Sequence, residues 1–228
     1  MALKWDENLK YRVISAALLV PVVVLIIWAG QMLFNALLLA AAVVMAFEWC
    51  GIINHNKEMK SSTQRYWMIA GIVYIVLSIL SLMYLRQLEE GFVAILYLFI
   101  LVWVVDIFAF ISGKTIGGPK IWPQISPNKT WAGLVGAMIG AAIVNITLGL
   151  FFSSSIIQLA IMGIMVAVIA QTGDFFESWV KRQFGVKDSG TLIPGHGGIL
   201  DRVDGIATSG PVIALMALLN HGAVPLWS

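Results

Sequence analysis

Seven stretches of this sequence are each apolar over enough residues to cross a hydrocarbon layer, and only short polar breaks separate them. They run from about Val13 to Ala29, Met32 to Ile53, Tyr66 to Leu85, Gly91 to Ser112, Trp131 to Phe152, Ile156 to Phe176 and Gly205 to Leu219. A helix needs about 20 such residues to span a bilayer. Inside a bilayer each backbone amide must find its partner within the protein, and for runs of this length the helix is the solution. The expected fold class is all-α: a polytopic integral membrane helical bundle of about seven transmembrane helices. Only 11% of the residues are charged and 60% are hydrophobic, against about 25% charged in a soluble domain. No soluble core could bury that much apolar surface.

No internal repeat or low-complexity linker divides the chain. Residues 1–228 read as a single membrane domain, with N-terminal spans in 1–90 and the chemistry-bearing spans in 91–228, around loops 113–130 and 177–204. The basic start followed by an apolar run resembles a secretory signal, but no small-residue cleavage site closes it and a second span follows at once. It reads as an uncleaved first span. The single cysteine, Cys50, has no internal disulfide partner.

Orientation follows from counting cations. Of the 14 Lys and Arg residues, seven spans with the N-terminus inside leave only Arg86 on the outer side, hence 14 − 1 = 13 within. Positive charge gathers on the cytoplasmic side of membrane proteins. The N-terminus and both rich loops are therefore expected in the cytoplasm, at the inner membrane. Trp28 and Trp227 outside, and Trp49, Trp67 and Trp179 inside, fit interfacial aromatic belts.

The chemistry concentrates between Ser178 and Asp204, SWVKRQFGVKDSGTLIPGHGGILDRVD. This stretch gathers Lys181, Arg182, Lys187 and Arg202 with Asp188, Asp201, Asp204 and His196, among Gly185, Gly190, Gly195, Gly197 and Gly198. Glycine-rich backbone can approach phosphate oxygens, cations neutralise phosphate, and carboxylates hold a divalent metal. Upstream, a continued sixth helix would put Asp174, Glu177, Ser178 and Lys181 on one face. Asp201 and Asp204, just before the seventh span, either share a helix face as ligands or cap that helix. Asp106 lies inside the fourth span, where a carboxylate is a functional candidate or a structural hydrogen bond to a neighbouring helix.

Lys114, Lys120, Ser126, Lys129 and Thr130 make the loop before the fifth span basic and hydroxyl-rich. Thr130 stands where helix amides can face a phosphate, or where a hydroxyl simply caps the helix. Lys129-Thr130 lacks the glycine pattern of a P-loop. No His/Cys grouping has zinc spacing. His55 and His221 read as interfacial, and Gly136 and Gly140 as helix-packing positions. The sum is a membrane-surface site with hard oxygen ligands and several cations, suited to a metal-bound polyphosphate and an anionic lipid head group.

These residues resemble the signature of the phosphatidate cytidylyltransferase (CDP-diacylglycerol synthase) family. Ser178, Lys181, Arg182, Lys187, Asp188, Gly190, His196, Gly197, Gly198, Asp201, Arg202 and Asp204 fall at the family's spacing without a gap. GDFFES, SPNKTWAG and DIFAFISGKTIG are similar to further family motifs, with Ala132 where the family usually has Glu and Phe110 where it has Tyr. The likeness is close over the second half and only general over the first three spans.

The resemblance implies CTP and phosphatidic acid as substrates, CDP-diacylglycerol and pyrophosphate as products, Mg²⁺ with a second cation as an option, and a possible homodimer. No nucleic-acid partner is expected. It implies Asp174 and Asp201 as metal ligands with Asp204 close by. It makes Asp174, Lys181, Arg182, Asp201 and Arg202 the catalytic set. Asp106, Ser126, Lys129, Thr130, Ser178, Lys187, Asp188, His196, Gly197 and Gly198 become substrate-binding candidates. A CTP-dependent polyprenol kinase, or an ion-coupled transporter using Asp106 and Asp174, would use the same membrane setting differently.

Overall fold

A computed structural model describes residues 20–149, 155–190 and 197–224. His196, Gly195, Lys4, Lys10, Arg12, Trp227 and the start of the first span lie outside the described residues. Seven helices are described: α1 (Val20–Ala29), α2 (Gln31–His55), α3 (Ser61–Gln87), α4 (Gly91–Thr115), α5 (Trp131–Gly149), α6 (Ile156–Gln183) and α7 (Leu200–Leu219). From α2 onward, all six are long and apolar enough to cross a membrane. The chain is thus a polytopic helical membrane protein.

Burial follows the logic of a bilayer. Many large apolar side chains face outward, Phe47 at 75% exposure among them, while the interior mixes large apolar residues such as Phe34 and Leu98 with small and polar ones at the seams. Without water between them, membrane helices associate by close packing and by hydrogen bonds. At the α4–α5 seam a Cβ added to Gly136 would stand 2.0 Å from Ser112 Oγ, and one added to Gly140 would stand 2.4 Å from the Phe108 ring. Both glycines therefore serve helix packing, as their spacing suggested. Deeper in the bundle, Tyr97 donates to Asn145 Oδ1 (3.1 Å) and Asn145 Nδ2 donates to the Leu159 carbonyl (3.1 Å), tying α4, α5 and α6 together.

Helix α7 is wedged among α3, α4 and α6. It contains Pro211, whose missing N–H leaves the carbonyl of Ala207 without its helical partner. Ser78 of α3 supplies a partial substitute, its one hydroxyl proton shared between that carbonyl (2.8 Å) and the Tyr74 carbonyl of its own helix (2.7 Å). This repair matters because water cannot take its place in hydrocarbon.

Two helix boundaries and the burial of one tryptophan differ from expectation. Helix α6 continues unbroken through the charged SWVKR segment to Gln183, because the charges lie on faces that pair with one another. Helix α7 begins at Leu200, so Asp201 and Asp204 sit in its first turns rather than before it. Trp49 is buried at 2% exposure instead of standing in an interfacial belt. Its indole nitrogen donates to the Trp67 carbonyl (2.9 Å), in room that Gly71 leaves free.

Candidate active site

The ends of α2, α4 and α6 meet the starts of α3, α5 and α7 at one end of the bundle. Trp67 packs edge-on to Trp179 with ring centroids 5.3 Å apart, joining α3 to α6. Arg86 lies at the other end, donating to the carbonyl of Ile27 near the end of α1 (3.1 Å).

At the rich end a cavity of about 500 Å³ is lined by Trp103, Asp106, Ala109 and Phe110 of α4, by Asn128, Lys129 and Thr130, by Gly133 and Leu134 of α5, by Gln171 and Asp174 of α6, and by Asp201, Arg202 and Asp204 of α7. Asp174 and Asp201, far apart in sequence, thus share one wall system. Asp106 stands nine residues before the end of α4, roughly 14 Å down the helix at 1.5 Å per residue. The cavity therefore reaches from the membrane surface into the apolar layer.

The loop before α5 is held shut by Ile121 N donating to Lys129 O (3.1 Å) and Trp131 N donating to Pro119 O (3.1 Å). That closure aims Lys129 at α6. Its ammonium pairs with Asp174 Oδ2 at 2.6 Å and lies 4.4 Å from the centre of the Phe175 ring. Ser178 adds a hydrogen bond to Asp174 Oδ1 (3.3 Å). Thr130 accepts from Gly133 N (3.0 Å), so its hydroxyl caps α5. Gln171 Nε2 donates to Asp106 Oδ1 (3.4 Å).

Behind the cavity lies a buried ionic cluster. Lys181 reaches Glu177 Oε1 at 3.0 Å on its own helix and pairs with Asp201 Oδ1 of α7. The other oxygen of Asp201 accepts from Ser189 N (2.9 Å), Ser189 Oγ (2.9 Å) and Gly198 N (3.0 Å). Gly197 has a φ of 77°, and a Cβ there would stand 2.6 Å from Asp201 Oδ2. Only glycine lets the backbone turn this tightly around the carboxylate.

Helix capping of α7, considered for Asp201 and Asp204, falls to neither of them. Asp201 holds the loop, and Asp204 Oδ1 accepts from Gly205 N (2.7 Å). The first amides of α7 are met by Glu48 of α2: Oε1 accepts from Ile199 N (2.8 Å) and Oε2 from Leu200 N (2.9 Å).

Of the sequence candidates, the cavity collects Asp106, Lys129, Thr130, Asp174, Asp201, Arg202 and Asp204. Lys181 sits behind it, and Ser178 beside Asp174. Arg182 braces loops, donating to the carbonyls of Ile125 (3.3 Å) and Val186 (3.2 Å). Lys187 and Asp188 are exposed on the charged loop, Ser126 is half-buried, and Gly198 contributes its amide to Asp201. Sequence reasoning passed over Gln171 and Glu48. Glu48 carried the same signal as Asp106, an acid within an apolar span.

Among the described residues, no three His, Cys, Asp or Glu side chains gather closely enough to cage a metal ion. Mg²⁺ is ordinarily held by one or two carboxylates and completed by waters and substrate phosphates. The carboxylates Asp174 and Asp204 in that lining fit that mode.

Fold and site together define a membrane-embedded protein whose charged cavity suits phosphorylated ligands at the bilayer surface. The sequence model of the cytidylyltransferase family matches residues 56–219. The chain is 39% identical to a protein of Brucella melitensis biotype 1 named phosphatidate cytidylyltransferase, across 93% of this chain and 94% of that one. A Rickettsia typhi protein of the same name is 38% identical over 92% of each chain, and one from Rickettsia felis is 37% identical over 95% of each. The chain belongs to the cytidylyltransferase family.

Proposed function

We infer that this chain transfers the CMP portion of CTP to phosphatidic acid, giving CDP-diacylglycerol and pyrophosphate. One observation carries the reading. Asp201, Arg202 and Asp204 of the cytidylyltransferase-like signature line the same cavity as Asp174, Lys129 and Asp106.

The reaction needs no protein nucleophile. An ionised oxygen of the lipid phosphate attacks the α-phosphorus of CTP, a P–O bond forms, and the bond to the bridging oxygen breaks as pyrophosphate leaves. What the protein supplies is placement and charge. Lys129 and Arg202 offer positive charge along the cavity, and the apolar wall of Trp103, Phe110 and Leu134 keeps the lipid end against the bilayer. Asp174 and Asp204 would hold the divalent cation; both oxygens of Asp201 are already engaged, Oδ1 by Lys181 and Oδ2 by Ser189 and Gly198. Mg²⁺ bound there would neutralise triphosphate charge and ease departure of pyrophosphate. The positive-inside asymmetry supports a cytoplasmic setting for this end of the bundle, with CTP taken from the cytoplasm and phosphatidic acid from the inner leaflet.

The test is product analysis with purified protein, phosphatidic acid and Mg²⁺. With CTP labelled in cytidine, the label enters lipid and pyrophosphate appears. Label entering lipid from the γ-phosphate alone would mark a kinase instead. Absence of both, with folded protein, would overturn the reading.

A further inference from the structure

Glu48 lies in α2, seven residues before the helix ends at His55 and outside the matched stretch 56–219. Its side chain is buried at 8% exposure. Its donors come from the far half of the chain. Ile199 N and Leu200 N meet its two oxygens, and Ser189 Oγ stands 3.2 Å from Oε2. The same hydroxyl stands 2.9 Å from Asp201 Oδ2. A hydroxyl has one proton to give, so Ser189 is shared between the two carboxylates.

We propose that Glu48 is a positioning residue for cytidylyl transfer: it pins the charged loop and the start of α7 to α2, and so sets where Asp201, Arg202 and Asp204 stand in the cavity. Three features support this. First, the initial amides of a helix have no partners of their own and attract an anion. For α7, whose own N-cap side chain makes no such bond, Glu48 is that anion. Second, the loop backbone packs directly on the carboxylate. A Cβ added to Gly198 would stand 2.5 Å from Glu48 Cδ and 2.1 Å from Ser189 Oγ. Third, Gly198 N and Ser189 N both donate to Asp201, so displacing the backbone that Glu48 holds displaces Asp201 with it. Misplacing reacting groups by about 1 Å can lower a rate about a hundredfold. Helix α2 is then part of the catalytic framework.

The inference rests on the cytidylyl-transfer reading. Its test uses the full chain in detergent, with Glu48→Ala, Glu48→Gln and Ser189→Ala, alone and combined. Glu48→Ala is expected to lower kcat about tenfold to a hundredfold, with KM for CTP changed less than about threefold. Glu48→Gln, which keeps shape and one acceptor, falls between it and the unaltered protein. Hydrogen exchange rises in peptides covering 186–203 and stays unchanged in α4 and α5. Ser189→Ala costs less in the Glu48→Ala background than alone, because their shared contact is already lost and only the Ser189 hydroxyl's bond to Asp201 remains to remove. Unaltered kcat, strictly additive losses, or exchange raised throughout the chain would each overturn the proposal. If the unaltered protein lacked transfer activity, the functional reading would fall. The exchange pattern would still decide whether Glu48 holds the loop.

Discussion

Replacing Lys181 separates two roles for this residue. A lysine that grips substrate phosphate, as its place in the signature suggests, would on removal raise KM and leave stability intact. The structure points elsewhere. The Lys181 side chain is 10% exposed and lies between Glu177 at 1% and Asp201 at 13%. Glu177 Oε2 already has no hydrogen-bond partner. Lys181→Ala therefore leaves Glu177 without its cation and Asp201 with only its Ser189 and Gly198 donors. Breaking a buried pair in this way costs about 3–5 kcal/mol. At about 2–4 °C per kcal/mol for a chain of this size, the thermal midpoint in detergent should fall by roughly 6–20 °C. The double variant Glu177→Gln with Lys181→Met removes the stranded charge and should recover most of that loss. Asp201 keeps its three other donors in it. Thermal unfolding followed by tryptophan fluorescence, run beside CTP saturation curves, reads both quantities. A Lys181→Ala protein that melts within about 2 °C of the unaltered chain and shows a raised KM would refute the buried-cluster reasoning.

Other perturbations test separate links. Ser78→Ala orphans the Ala207 carbonyl beside Pro211 and should destabilise by about 1–2 kcal/mol in SDS unfolding, whereas Ser78→Thr keeps the hydroxyl and should not. Gly136→Ala forces a Cβ into Ser112 at the α4–α5 seam and should cost about 1–3 kcal/mol; the combination with Ser112→Gly should relieve it. Lys129→Met removes the cation beside Asp174 from the cavity and should lower kcat/KM by about a hundredfold or more, with little change in melting temperature. A change under about threefold would remove Lys129 from the site.

Much of the bundle was legible in the sequence because a bilayer imposes a length rule that local composition obeys. The second to sixth helices lie where the apolar runs lie, and the described part of the first agrees. The spans that ended in charge were read less well. SWVKR looked like a loop following a helix, yet it is helix, because Glu177 and Lys181 are neighbours one turn apart and neutralise each other. The start of α7 was read late for a related reason. Asp201 and Asp204 looked like residues preceding a helix until an acid from another helix proved to be the one meeting its amides.

Periodicity and composition alone determined that this chain is a helical membrane bundle with its chemistry in the second half, and the fixed spacing from Ser178 to Asp204 carried the family. Those properties are local: hydrocarbon length, cation bias and motif spacing are each read from neighbouring residues. Which carboxylate faces ligand and which serves as scaffold was decided only by tertiary structure. Asp174, Asp201 and Glu48 look alike as letters. Their roles differ because partners from distant helices, Lys129, Lys181 and the first turn of α7, reach them only once the bundle has closed.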